Sequence, residues 1–426
     1  MAKDISIIGQ RKRIAVVGAG IGGLVSALKL AHDGFEVKVF ESSDYPGGKI
    51  RTLESASGPV NIGPTVLTML SVFQGLFKEV GENIFDHLEL KEQKILARHW
   101  WSDGTEFDLL SNKDDAYDEI RRVFGGKAGK QYLSFFNSTE EMFNCFEKPI
   151  MKSSSPATLE ILSGICKNPK IIPALFPFFT LEKYLKSKFS EPKLQQLFGR
   201  YSTYVGGSPL SSPALMALVW QAEARGVWTV EGGISSVARA IEKLAMDRGV
   251  EFNYGHRVIE IQKSNSLVNK VHLDDGTSHG ADAVIFNGDP RALATGLLGS
   301  DLRNIANKTR NANRSLSANV WGFESKTINK NLVHHNVFFS DKVNSEFFEI
   351  EKGQIPLNPT LYICAQDREE PNKSQKSERF EIILNAPPLS KRNQNKEDFE
   401  ICKSVTLECF KNFGLNFQVD LERRNL

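Results

Sequence analysis

The apolar pattern opens with Arg13-Ile-Ala-Val-Val17, a short run without helical period, and Gly18-Ala-Gly20-Ile-Gly22-Gly23 follows at once. A β-branched run ending in glycines predicts a strand and a tight turn. Leu24, Leu28 and Ala31, with Val25 and Ala27 beside them, then keep the spacing of a helix that Gly34 stops. Phe35 to Phe40 predicts a second strand, ending at Glu41. The chain therefore begins with a compact βαβ unit.

Between about 66 and 225 the spacing becomes mostly helical, as in Met69–Val80, Asp115–Phe124 and Gln131–Phe146. Near Val227 the β/α pattern resumes: strand Val227–Val230, helix Ile234–Met246, strand Val250–Tyr254. Val258–Gln262 and Val271–Leu273 predict a small meander turning at Asp274-Asp-Gly-Thr277, and Ala281–Phe286 a further strand. Beyond Ser315, strand-like runs recur at Ala318–Phe323, Asn336–Ser340, Thr360–Ala365 and Arg379–Asn385, while Ser390–Glu397 is polar enough for an exposed loop. A first domain is thus assembled from separated pieces around a second.

Composition narrows the function classes. With 426 residues, 41% hydrophobic and 24% charged, this is ordinary globular protein with room for a large core. Charges of 53 and 51 leave +2, too little to draw the chain to nucleic acid. Five cysteines without a C-x-x-C pair argue against a disulfide framework or a zinc cluster and fit a reducing cytoplasm. The apolar run at Ile5–Ile8 is too short for an export signal, and no stretch reaches the roughly 18–20 apolar residues that span a bilayer.

The chemistry begins at the G-x-G-x-x-G match, Gly18, Gly20 and Gly23, with Ala19 and Gly22 inside it. Between strand and helix, such glycines permit the turn, let backbone N–H groups approach a diphosphate, and let helix and strand pack. Glu41 stands 23 residues after Gly18, where a carboxylate accepts hydrogen bonds from both ribose hydroxyls and repels a 2′-phosphate. This disfavours NADP and leaves FAD and NAD open.

Gly47-Gly48-Lys49-Ile50-Arg51-Thr52 resembles the glycine-doublet motif of the flavin amine oxidase and carotenoid desaturase superfamily, with Lys49 where arginine is commoner. Longer strings resemble the hydroxyneurosporene and methoxyneurosporene dehydrogenases within it: Gly58–Met69, Phe198–Gly207, Trp220–Trp228, Ile285–Pro290, His334–Phe339 and Pro359–Arg368. The resemblance implies an α/β fold, with a Rossmann-like FAD-binding domain of flavin amine oxidase or glutathione reductase type (1–65 and 226–290). A helical and mixed-sheet substrate domain (66–225 and 291–426) is inserted in it. It implies FAD as cofactor, with Gly47, Gly48, Lys49 and Arg51 at the diphosphate, Gly63, Pro64 and Thr65 beside the isoalloxazine ring, and Val258 at the adenine end.

By the same resemblance the substrate is a carotenoid, hydroxy- or methoxyneurosporene, desaturated at its 3,4 bond by loss of a hydride from one carbon to the flavin and of a proton from its neighbour. No metal or triad is required, and no catalytic acid or base is assigned, although His99, His256, His334 and His335 are present. Lysines 167, 170, 183, 186 and 188 interleave with Ile171, Ile172, Leu175, Phe176, Phe178, Phe179 and Leu185, which suggests peripheral contact with the inner face of the cell membrane, or else a hairpin packed inside. Family members continue beyond the position of Leu426 into a segment that caps the flavin, so impaired activity of this chain is a further expectation. The alternatives are a phytoene desaturase and a non-catalytic carotenoid-binding remnant.

Overall fold

The computed structural model describes residues 12–155, 157–176, 178–326, 330–340, 342–368, 377–391 and 396–419. The residues at Ile5–Ile8 and half of the polar stretch 390–397 lie outside this set, and Lys396 already belongs to a helix.

Four parallel strands form the first sheet, in the order Glu251–Asn253, Glu36–Phe40, Arg13–Val17, Ala283–Phe286. Parallel strands are buried on both faces, which explains why Ile14 to Val17 read as a continuous apolar run. On one face Val16, Val37 and Val39 pack with Leu24 and Leu28 of helix Ile21–His32 and Ile241 of helix Ser235–Met246. On the other, Ala15, Val17 and Phe40 meet Val258, Ile261, Val271 and Leu273 of an antiparallel meander, Val258–Ser264, Leu267–Leu273 and Ser278–Gly280. Helices, parallel sheet and meander thus make three layers.

A second sheet has six strands, ordered Ser317–Lys326, Ser377–Ala386, Leu361–Ala365, His335–Phe339, Ile95–Trp101, Glu106–Leu110. The last two lie within the region expected to be mostly helical, and Ile95–Trp101 pairs in parallel with His335–Phe339 across some 240 residues of sequence. Periodicity missed Ile95–Trp101 because six of its seven residues are buried, leaving no alternation to read. Trp100, Phe338, Ile363, Phe380 and Ile382 face helix Lys396–Asn412 through Cys402, Val405 and Phe410. Side chains alternate along a strand, so Val337 and Phe339 turn the other way, into the core of the helical layer with Phe135, Phe198 and Trp220. His335, Tyr362, Cys364 and Glu381 share that second face, and it is the face that meets the loop after Ile62.

Candidate cofactor cleft

A cleft of about 810 Å³ runs along the carboxyl ends of the parallel strands, the place where open α/β sheets take their ligands. Gly18, Gly20, Gly22, Glu41, Gly47, Gly48, Lys49, Pro64 and Val258 all line it. A side chain at Gly23 would force the backbone to shift, because a Cβ there would come within 2.0 Å of the Gly18 carbonyl oxygen. The helix that begins at Ile21 has no side-chain cap at Gly20, so its first-turn N–H groups face the cleft without a built-in acceptor.

Glu41 is held at the end of its strand by two backbone donors, Ala19 N–H at 2.7 Å and Ser43 N–H at 2.9 Å. Ala19 therefore orients the carboxylate from behind the cleft. The glycine doublet lies directly against the first loop: Gly47 N–H donates to Ala19 O at 2.9 Å, and a Cβ on Gly48 would stand 3.0 Å from Gly20 Cα. Arg51 closes this turn by donating from Nε to Gly48 O at 3.1 Å, whereas Lys49 stays exposed in the cleft. The two motifs, separated by more than twenty residues, form one cradle.

Gly63 has φ +111° and backs onto the Lys49 carbonyl, which a Cβ would approach to 2.1 Å. Its N–H donates to one oxygen of Glu381. Burial pushes the Glu381 carboxyl up to about 8, offset in part by that bond, and its second oxygen has no partner. Pro64 belongs to both the main cleft and an adjoining one of about 340 Å³, which Thr65, His334, Cys364 and Arg379 also line. Thr65 Oγ1 is 2.7 Å from the Tyr362 hydroxyl, which is 2.8 Å from His335 Nδ1.

Two cleft residues were given no role from the sequence, although Asn287 lies in the string Ile285–Pro290 and His256 was among the histidines noted. Asn287 follows the fourth parallel strand, and its side chain fills the space where a Cβ on Gly20 or Gly22 would project, at 2.9 and 2.7 Å. His256 also lines the cleft and is 3.3 Å from Asp275. Of the other histidines, His99 is fully buried and stacked on Phe339, and burial holds it well below the usual imidazole range. Burial likewise lowers His334, to about 4, and holds His335 well below the usual imidazole range. His334, His335 and Cys364 bring ligand-type atoms within 4.8 Å of one another, but His334 Nε2 already meets Cys364 Sγ at 3.4 Å, and His335 Nδ1 meets Tyr362.

The donor set fits a dinucleotide: a glycine cradle with free helix N–H groups for a diphosphate, an anchored carboxylate for a ribose, and a cation beside them. Residues 21–319 match the family described as flavin containing amine oxidoreductase. The chain is 43% identical over 405 residues to a hydroxyneurosporene desaturase of Cereibacter sphaeroides, covering 95% of this chain and 81% of that one. A hydroxyneurosporene desaturase of Rhodobacter capsulatus is 40% identical over 413 residues, covering 97% and 83%. A 1-hydroxycarotenoid 3,4-desaturase of a Flavobacterium species is 31% identical over 385 residues, covering 88% and 77%. Among solved structures, an oxidoreductase from Methanosarcina mazei superposes with TM-score 0.61 at 18% identity (96% and 86% covered), and a putrescine oxidase variant with 0.62 at 14% (96% and 83%). At such identities the structures establish the fold.

Proposed function

The chain belongs to the flavin-containing amine oxidoreductases and, among them, to the carotenoid desaturases, and from that premise we propose that it introduces the 3,4 double bond into hydroxy- or methoxyneurosporene-type carotenoids. The observation that carries this reading is the 38–43% identity, over at least 95% of the chain, to three hydroxyneurosporene desaturases. FAD, the cofactor of the family, supplies the hydride acceptor when bound.

The chain's own residues do the binding and the orienting. N–H groups of the Gly18–Gly23 loop and the first turn of the following helix hold the diphosphate, and Lys49 offsets its charge as a point cation. Glu41, fixed by Ala19 and Ser43, would accept from the ribose hydroxyls, and Val258, which lines the cleft, would border the adenine. Gly63, Pro64 and Thr65 would border the ring. The polyene would reach the ring from the adjoining cleft, which shares Pro64 with the main one. For a substrate without leaving group or labile carbonyl, positioning is most of what the protein must provide. The test is incubation of the flavin-loaded chain with hydroxyneurosporene: a product two hydrogens lighter, with the new bond at carbons 3 and 4, supports the reading, and an unchanged carotenoid contradicts it. Conversion of phytoene instead would favour the related phytoene desaturase.

Membrane contact is part of the proposal, because so apolar a substrate resides in a bilayer. Among the described residues no helix is long and apolar enough to cross a membrane. The stretch from 167 to 188 divides in two: Ile171 and Leu185 are buried in the helical core, whereas Ile172, Phe176 and Phe178 are exposed, Phe178 by 85%. Helix Thr158–Lys167 buries none of its residues and leaves Leu159 83% exposed, with Leu162, Ile150 and Met151 also outside. Lys188 does not belong to this surface; it is half-buried against the Tyr184 ring. An exposed apolar patch bordered by Lys167 and Lys170 suits the headgroup region of the anionic inner leaflet.

A further inference from the structure

The six-stranded sheet carries a polar group that the cofactor reading leaves unused. His335 and Cys364 are direct partners on neighbouring antiparallel strands and project from the same face. His334 immediately precedes the first of these strands, its ring edge-on to that of His335 with centroids 4.5 Å apart. One ligand-type atom from each of the three residues lies within 4.8 Å of the other two. His335 and Cys364 are each 2% exposed, and His334 and Cys364 line the adjoining cleft of about 340 Å³, a way in for a small ion. A separation of 30 residues between His334 and Cys364 matches no short ligand motif, so the sequence offers no sign of the group.

The separations suit ligands around one ion. Bonds of about 2.0 Å to nitrogen and about 2.3 Å to sulfur place two such ligands roughly 3.5 Å apart around a metal, and His334 Nε2 and Cys364 Sγ stand 3.4 Å apart. That contact is a thiol–imidazole hydrogen bond in the metal-free protein, and an ion takes the place of the thiol proton. His335 is prepared by its neighbour: Nδ1 is 2.8 Å from the Tyr362 hydroxyl, itself 2.7 Å from Thr65 Oγ1. A ligating histidine is commonly held in this way, its second nitrogen donating to an oxygen so that ring and tautomer are fixed. Donation from Nδ1–H to Tyr362 puts the lone pair on Nε2, and Nε2 is buried with no hydrogen-bond partner. A buried acceptor left unpaired is costly, and native proteins seldom keep one without a use. Burial also holds both imidazoles neutral at pH 7, so no proton competes there with an ion.

Charge and softness choose the ion. Two neutral imidazoles and one thiolate bring a single negative charge, so a monovalent ion leaves the buried group neutral, whereas a divalent one leaves a net positive charge in the interior. Glu381 continues the row on the next strand, opposite Cys364, but burial keeps its proton on at neutral pH, so it does not offset a second charge. A thiolate with imidazoles, in a set of three, suits a soft ion of low coordination number. We infer that His334, His335 and Cys364 are the ligands of one copper(I) ion, bound by two imidazole nitrogens and a thiolate with Tyr362 orienting His335. The inference does not rest on the carotenoid reading, and its test needs no carotenoid.

The test is anaerobic titration of the flavin-loaded full chain with copper(I) against a coloured copper(I) chelator, together with X-ray absorption at the copper edge of the loaded protein. Cys166→Ser, which removes an exposed thiol, serves as the background for every measurement. One ion per chain should be held against the chelator, with one sulfur at about 2.3 Å and two nitrogens at about 2.0 Å. Cys364→Ser and His335→Gln should each lower the affinity roughly a hundredfold or more, and Tyr362→Phe, which keeps all three ligands and removes only the acceptor for His335 Nδ1, roughly tenfold. The absorption spectrum of the chain with all three ligands intact decides the matter if a ligand variant does not fold. A His–Cys contact that is only structural would hold no copper(I) against the chelator. That result, a coordination shell without sulfur, an affinity that survives Cys364→Ser, or displacement of copper(I) by zinc would overturn the inference.

Discussion

Glu381 shows how a single side chain can matter without any signal in the sequence. Its carboxyl sits at about 8 in the folded protein against 4.5 as its ordinary value, because burial penalises the anion. Between those values the unfolded chain has lost the proton that the folded chain keeps, so this group's contribution to stability is complete below about pH 4.5 and is lost as pH rises through about 8. Glu381→Gln, which keeps an acceptor for the Gly63 N–H, should flatten the stability profile over that window and be the more stable protein at pH 8; parallel denaturant titrations at several pH values measure it. Gly23 is the opposite case, legible at once. With Gly18 O only 2.0 Å from a Cβ, Gly23→Ala should cost about 2–3 kcal/mol by chemical denaturation and weaken flavin retention. The glycines and Glu41 could be read because their roles depend on backbone within one βαβ unit. Glu381 meets Gly63 from 318 residues away, and Tyr362 meets Thr65 from 297, distances at which no local pattern exists.

At the scale of elements, periodicity worked where one face of a helix or strand was wet. Helices Leu70–Glu79 and Lys113–Phe124, the meander, and the strands after Ser315 fall within a few residues of their expected places. It failed for Ile95–Trp101, where burial on both sides removes the alternation. The segment from 150 to 178 is informative in another way, since its apolar residues point in two directions. Leu159→Ser with Phe178→Ser should reduce co-sedimentation with anionic liposomes severalfold while leaving the melting temperature nearly unchanged, since both side chains are over four-fifths exposed. Phe179→Ser should behave differently: that ring packs against the helical core, edge-on to Tyr184, and its loss should lower the melting temperature. Liposome binding that survives the double substitution would remove the patch from the membrane account.

For the whole molecule, the two sheets divide the work. The parallel sheet, with helices on one face and the meander on the other, presents the glycine cradle and Glu41 at its carboxyl end. The six-stranded sheet brings Glu381, Tyr362 and His335 against the loop Gly63–Thr65, where the two clefts meet at Pro64. Two glycine motifs and one acidic residue were enough to foresee the first sheet, because dinucleotide binding imposes a local backbone geometry. Four strands of the second were foreseen, but not their pairing with Ile95–Trp101 and Glu106–Leu110, since its strand order interleaves residues from 95 to 386. Replacing Glu41 by Gln should weaken FAD affinity by roughly tenfold, the cost of one charge-assisted hydrogen-bonding group, and equilibrium dialysis against FAD measures it. The most direct test of the whole account is an anaerobic single-turnover mixture of the flavin-loaded chain with hydroxyneurosporene, in which the flavin's visible absorption and the carotenoid product are followed together. The account requires one 3,4 double bond formed for each flavin reduced; a flavin that stays oxidised beside an unaltered bound carotenoid would contradict it.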